Sequence, residues 1–233
     1  MRPLTCPPCS KNHLRPAGVM CLRTAPAPVW IIRSWLPLPP SSRSVTLQLY
    51  ATKFPYMERR GRRPDPPQLA QATVRAAVAR ALDLLPGLPL IAGGKSFGGR
   101  MTSQAQASAP LPRVRGLVFV GFPLHPAGHP SQERAKHLFQ VQIPMLFLQG
   151  ARDQLASLEE IRALGKKLGK RATLKVFEGA DYSFHLPARS GRKDRQVLGE
   201  LVDALAAWAD ELILRTTPHP TPRNSSKPGR NIK

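Results

Sequence analysis

Gly94-Lys95-Ser96-Phe97-Gly98 is the segment that most restricts what this chain can fold into. It has Gly-x-Ser-x-Gly spacing, and the residue pattern changes across it. Before it, Leu88-Pro89-Leu90-Ile91-Ala92 is an apolar run of strand length, with Pro89 at its beginning. After it, Gly98 to Ala107 has helical composition. A strand that enters a helix through so short a turn projects the central side chain from the strand's C-terminal end. The small flanking residues let the turn pass close to its neighbours. Ser96 is therefore the candidate nucleophile, and the amide of Phe97 is the candidate oxyanion donor.

The rest of the chain supplies a sheet for such a turn. Val45 to Tyr50 alternates and is rich in strand formers. A polar loop from Arg59 to Pro67 leads to a helix ending near Leu85, with Leu69, Val74, Ala77, Val78, Ala81, Leu82 and Leu85 at helical spacing. Pro86-Gly87 stops it. Gly116 to Val120, Pro144 to Gly150 and Thr173 to Phe177 read as further strands. Helical patterns fill Ser131 to Phe139, Leu158 to Leu168 and Asp194 to Leu214, the last with Val197, Leu201, Leu205 and Trp208 on one side. Apolar strands alternating with helices predict an α/β domain, a mostly parallel sheet with helices on both faces. Its expected extent is 45–214. Residues 1–44 are expected to be irregular, because Pro, Arg and Ser interrupt every apolar run. Val29 to Ile32, between Pro28 and Pro37, is a poor candidate for a central strand. Residues 215–233 read as a disordered basic tail.

Charge narrows the function classes. The formal net charge is +21, but the excess sits largely at the ends. Arg2, Lys11, Arg15, Arg23, Arg33, Arg43 and Lys53 precede the first acid, Glu58. Arg215, Arg223, Lys227, Arg230 and Lys233 follow the last acid, Glu211. No nucleic-acid motif accompanies this charge, so no specific nucleic-acid partner is expected. No run approaches the ~20 apolar residues of a membrane span. Cys6, Cys9 and Cys21 with His13 lack metal-site spacing, and no βαβ unit surrounds Cys6-Pro7-Pro8-Cys9. No cofactor or metal is expected. Residues 45–214 contain no cysteine, which fits a cytoplasmic protein.

A nucleophilic serine needs a base, and the base needs an orienting acid. When these follow a Gly-x-Ser-x-Gly turn in one sheet, the order is serine, acid, histidine. Asp153 lies just past the strand ending near Gln149, where a carboxylate can point across the sheet's top edge. His185 is the single histidine in the loop after Thr173 to Phe177. Ser96, Asp153 and His185 are the candidate triad.

Phe54-Pro55-Tyr56-Met57-Glu58, Arg62 to Pro67, Gly93-Gly94-Lys95-Ser96-Phe97-Gly98-Gly99-Arg100-Met101 and Gly121-Phe122-Pro123-Leu124-His125-Pro126 together resemble small bacterial dienelactone-hydrolase-like α/β-hydrolases. A related hydrolase-like domain occurs in testis-expressed protein thirty and in a subunit of the NSL acetyltransferase complex. The resemblance runs from about Lys53 to Trp208. It implies the α/β-hydrolase fold, and a serine hydrolase acting on a small ester or related carbonyl through an acyl-enzyme. Two departures qualify it. The family's histidine loop reads Ala-Asp-His-Ser-Phe, and here the presumed base position holds Tyr182. A phenol with a pKa near ~10 is a poor general base at neutral pH. His185 is a second histidine that also occurs in this motif. The family's early His-Gly-Ala-Gly-Ala-Gly-Met loop, which completes its oxyanion hole, is absent.

Arg23 to Trp35 carries a trace of that loop. Codons for this stretch can be chosen so that a shifted frame reads His-Gly-Ala-Gly-Ala-Gly-Met-Asp-His-Ser-Phe-Met. The region before about Lys53 is thus expected to be a frame-shifted remnant, with early strands of the sheet missing. Three functions stay open: a serine hydrolase, impaired in this copy; a catalytically inactive hydrolase-like interaction module; and a basic binder of nucleic acid or membrane. Phe122 to Pro130 follows a strand on the active-site side and is a candidate pocket wall.

Overall fold

The computed structural model describes residues 29–34, 47–84, 86 and 89–216. Their centre is one six-stranded sheet in the order β2-β1-β3-β4-β5-β6. The strands are β1 (Val29–Ser34), β2 (Leu47–Thr52), β3 (Leu90–Lys95), β4 (Val114–Val120), β5 (Met145–Gly150) and β6 (Ala172–Phe177). β3 to β6 run parallel, and β1 is antiparallel to both of its neighbours. The helices are α1 (Pro55–Glu58), α2 (Pro67–Leu84), α3 (Phe97–Ser108), α4 (Leu158–Leu168) and α5 (Asp194–Thr216). A 3₁₀ segment spans Glu133–Gln140. This is the α/β-hydrolase architecture expected from the sequence.

The two-residue period of the strands sorts the core into two layers. Ala92, Leu117, Phe119, Met145 and Phe147 face the layer built with α2, α3 and α4. Ile91, Val118, Val120, Leu146 and Leu148 face Val197, Leu201, Leu205 and Trp208 of α5. The central strands are largely apolar because both faces are covered. Gly116 lets α5 approach β4, since a Cβ there would lie 2.5 Å from the Trp208 ring. Ser157 caps α4, accepting from the Glu160 N–H at 3.2 Å while the Glu160 carboxylate accepts from the Ser157 N–H at 3.0 Å.

Three expectations need correction. Val29–Ser34, expected to be irregular, forms an interior strand paired on both sides. The flanking prolines lie outside these six residues, so none removes an N–H from either ladder. Of the region expected to lack strands, this segment therefore belongs to the sheet. On α2, Leu69 is exposed and Ala70 takes the core position beside Val74 and Ala77. Ser131 to Phe139 has helical composition but closes as the 3₁₀ segment. The cysteines with His13, and the tail from residue 217, lie outside the described residues.

Candidate active site

Ser96 sits where β3 becomes α3, with φ 51° and ψ −116°. A non-glycine residue held in such a sparsely populated region costs about 1–3 kcal/mol and needs a surrounding structure that imposes it. That structure is visible. The Ser96 N–H donates to the Val120 carbonyl of β4 at 3.1 Å, and its carbonyl accepts from the Arg100 N–H at 3.0 Å. Gly99 lets α3 settle onto β3, because a Cβ there would come within 2.7 Å of the Gly94 carbonyl oxygen. The Ser96 hydroxyl makes no capping bond to the helix, so it projects from the turn. Phe97 begins α3, so its N–H has no intrahelical acceptor. It is placed to serve as an oxyanion donor.

The Phe54 to Pro67 stretch forms one wall. The Phe97 ring meets Phe54 at 5.2 Å and Tyr56 at 6.0 Å between centroids. Buried Asp65 anchors this wall, accepting from the Tyr56 N–H at 2.9 Å and from Arg59 at 2.8 Å. The Tyr56 phenol is raised by burial, by Asp65 and by Tyr182, so it stays a neutral donor.

The loop after β6 supplies the opposite wall. Gly150, at the end of β5, allows this loop to lie across it, since a Cβ there would stand 2.4 Å from the Asp181 carbonyl oxygen. The loop closes tightly on itself. Asp181 Oδ1 accepts from the N–H groups of Ser183 and His185, and the Asp181 N–H donates to the His185 carbonyl. Phe184 takes φ 65° and buries its ring against Phe177. This turn aims positions 182 and 185 in different directions. The Tyr182 phenol lies next to the Ser96 hydroxyl, which pulls its pKa down against the effect of burial. Its ring lies beside Gly121, and Lys95 Nζ lies 5.1 Å from the ring centroid. The His185 ring is 65% exposed and bonds Asp194 at the start of α5 at 2.5 Å. The structure thus joins Ser96 to Tyr182 and places His185 in a surface ion pair. The histidine's sequence position lies in the right loop, but the closure of that loop turns it outward.

Asp153 is buried on the path from β5 to α4. Its carboxylate accepts from Gln149 Nε2 at 2.5 Å and from the Leu155 N–H at 2.7 Å. Gln149 Oε1 in turn accepts from the Phe122 N–H at 3.0 Å. Burial pushes the Asp153 carboxyl up to about 6; the Leu155 and Gln149 bonds oppose this, and Asp181 adds to it. Asp153 is close enough to raise the Tyr182 phenol, although burial is the larger cause there and the Ser96 bond pulls it down. Tyr182 is therefore protonated at neutral pH. Burial also lowers the Lys95 ammonium, with Asp181 and Asp153 opposing.

Raised above its unfolded value of 3.8, Asp153 binds its proton more tightly in the folded chain. Its contribution to stability is full below about pH 4 and is lost as pH rises through about 6. Thermal midpoints of wild type and Asp153→Asn, compared from pH 4 to 7, should diverge across that window, with the wild type losing ground as pH rises. Parallel profiles would remove the raised carboxyl.

A family model described as an alpha/beta hydrolase domain matches residues 42–210 of this chain. The chain belongs to the α/β hydrolase family. A solved structure shares the fold. An Agrobacterium tumefaciens protein of unknown function, provisionally described as an α/β hydrolase, is 20% identical with a TM-score of 0.53, over 76% of this chain and 74% of that one. A Coxiella burnetii α/β serine hydrolase homologue is 21% identical, with a TM-score of 0.49 over 63% of each chain. A Xanthomonas campestris α/β serine hydrolase without a lid is 21% identical, with a TM-score of 0.45 over 69% of this chain and 63% of that one. The hydrolase chain thus spans under two thirds of the length of the latter two proteins.

Within the hydrolase domain, a concavity of about 350 Å³ is lined by Arg152, Gln154, Leu155, Asp181, Tyr182 and Ser183. The Phe122 to Pro130 loop, a candidate pocket wall from sequence, is absent from this lining. Its His125 is buried and bonds Glu160 at 3.1 Å and the Pro126 carbonyl at 2.7 Å, so it ties the loop to α4. Sequence reasoning missed Gln149 and Lys95. Gln149 had a readable signal, a polar residue near the end of an otherwise apolar buried strand. Lys95 had none, because its contact with Tyr182 joins the end of β3 to a loop far away in the chain. Among the described residues no group of histidine, cysteine or acidic side chains is arranged to hold a metal ion. No described helix is long and apolar enough to cross a membrane.

Proposed function

We propose that this chain is a serine hydrolase of the dienelactone-hydrolase-like group, acting on a small ester or related carbonyl through an acyl-enzyme and slowed by Tyr182. The observation that carries this reading is the strained backbone of Ser96, whose hydroxyl projects from the β3–α3 turn instead of capping α3. In this reading the Ser96 oxygen attacks the carbonyl carbon, and the Phe97 N–H stabilises the oxyanion that develops. With no side-chain base at hand the serine proton passes to water, the leaving alkoxide takes a proton from water and departs as the alcohol, and a further water hydrolyses the acyl-Ser96 ester. Asp153 is the acid of the site. Tyr182 stands where a base is needed and, as a protonated phenol, is a poor acceptor for the serine proton.

A fluorophosphonate probe tests the nucleophile without needing full turnover. Slow, time-dependent labelling of the wild type is expected, with none on Ser96→Ala. Absence of labelling on folded wild-type protein would support the second reading, an inactive hydrolase-like interaction module. The protonated Tyr182 phenol beside Ser96, where a base would be needed, is the observation that favours that reading.

A further inference from the structure

One cationic cluster beside the elbow has no anionic partner among the described residues. Arg100 follows Ser96 by one helical turn, and its guanidinium carbon lies 5.7 Å from the centre of the Phe97 ring. Its Nε is buried without a hydrogen-bond acceptor. The 3₁₀ segment packed on α3 brings a second guanidinium, Arg134, near enough to repel it. No carboxylate among the described residues pairs with either arginine. The acid next to Arg134 in the chain, Glu133, is engaged with Lys136 at 2.6 Å. His137, from the same segment, bonds Ser103 Oγ at 2.7 Å, and burial together with Arg100 holds it down to about 4. It is neutral at pH 7 and adds no compensating charge.

Two half-buried guanidiniums without a counter-charge are costly in the free protein. A fold normally pairs such groups or leaves them in water. Paired guanidiniums suit a planar or tetrahedral oxyanion, which accepts several N–H bonds at once. Their place is next to Phe97, whose own N–H faces the reacting oxygen in the proposed mechanism. We propose that Arg100 and Arg134 bind an oxyanionic group, a carboxylate or phosphate, on the ligand presented to Ser96. The link to Ser96 rests on the serine-hydrolase reading; the anion site itself does not.

The test uses the full chain and two probes, inorganic phosphate and succinate, with ionic strength matched by sodium chloride. At ten times the dissociation constant, a rise of about 3–6 °C in the unfolding midpoint is expected. The rise should vanish in Arg100→Gln and in Arg134→Gln; the latter, a partly exposed residue, keeps the test valid if the former fails to fold. Whichever probe stabilises names the anion. The same anion should slow fluorophosphonate labelling of wild type and not that of Arg134→Gln. No rise, or an equal rise in wild type and Arg134→Gln, overturns the site. A rise that depends on the arginines, in a protein that the phosphonate never labels, keeps the anion site and removes the hydrolase reading. A rise that depends on the arginines without protection of a labelled Ser96 overturns the link to the nucleophile.

Discussion

Replacing Tyr182 with histidine is expected to raise ester turnover at pH 7 by roughly 100-fold or more, the range general-base catalysis supplies. The wild-type phenol already meets the Ser96 hydroxyl, so the position is within reach of the proton to be removed. An imidazole there, with an ordinary pKa near ~6.5, would be largely neutral at pH 7 and able to accept it. Asp153 is near enough to act electrostatically on position 182, and as a carboxylate it would stabilise the imidazolium that forms. The strained elbow and the Phe97 N–H need no alteration. The measurement is kcat/KM on 4-nitrophenyl acetate for wild type, Tyr182→His and the double variant Tyr182→His with Ser96→Ala. The gain should disappear in the double variant. It should survive His185→Ala, because His185 is committed to Asp194 on the surface. A folded Tyr182→His protein with wild-type turnover would defeat the hydrolase proposal and leave the interaction module.

Gly93→Ala should be the most damaging single methyl group in the molecule. Gly93 lies in β3, one residue before the Gly-x-Ser-x-Gly segment, and pairs with Val118 of β4. A Cβ at Gly93 would stand 2.0 Å from the Val118 carbonyl oxygen and 2.9 Å from its carbonyl carbon. These are backbone atoms of an interior strand, so no rotamer change relieves the clash. The parallel pairing of β3 and β4 must open, and it is this pairing that carries the Ser96 N–H to Val120. A cost of about 3 kcal/mol, the upper end for overpacking, is expected. Urea unfolding reads it as a lower midpoint at unchanged slope, and phosphonate labelling of Ser96 should fall with it. Gly165→Ala, in α4 with open space around the added methyl, is the control and should be neutral or slightly stabilising. Equal midpoints for Gly93→Ala and wild type would mean that β3 and β4 do not approach as described.

Both expectations turn on features of different legibility. The elbow could be read from the chain because its signals are local: a buried strand, small residues in tight sequence, and a helix. The strands β3 to β5 were readable for the same reason, since strands covered on both faces are largely apolar, and β6 at the sheet edge shows the alternation of a half-exposed strand. Val29–Ser34 was not readable as an interior strand. Its pairing with β2 and β3 joins segments far apart in the chain, and the nearby prolines argued against it although they lie outside the paired residues.

The site divides along the same line. The sequence by itself determined a sharp strand-to-helix turn at Ser96, an aspartate after β5 at position 153, and a loop after β6 with Tyr182 and His185. It could not say which residue of that loop meets the serine, because a four-residue backbone turn aims its side chains by closure and not by order. Tertiary structure decided that. Asp181 locks the turn, Gly150 gives it room, Tyr182 falls beside Ser96, and His185 is carried out to Asp194. The environment of Asp153 was decided in the same way. Burial beneath Gln149 and the β5–α4 turn raises its carboxyl, and burial is a property of the assembled fold that no single segment contains.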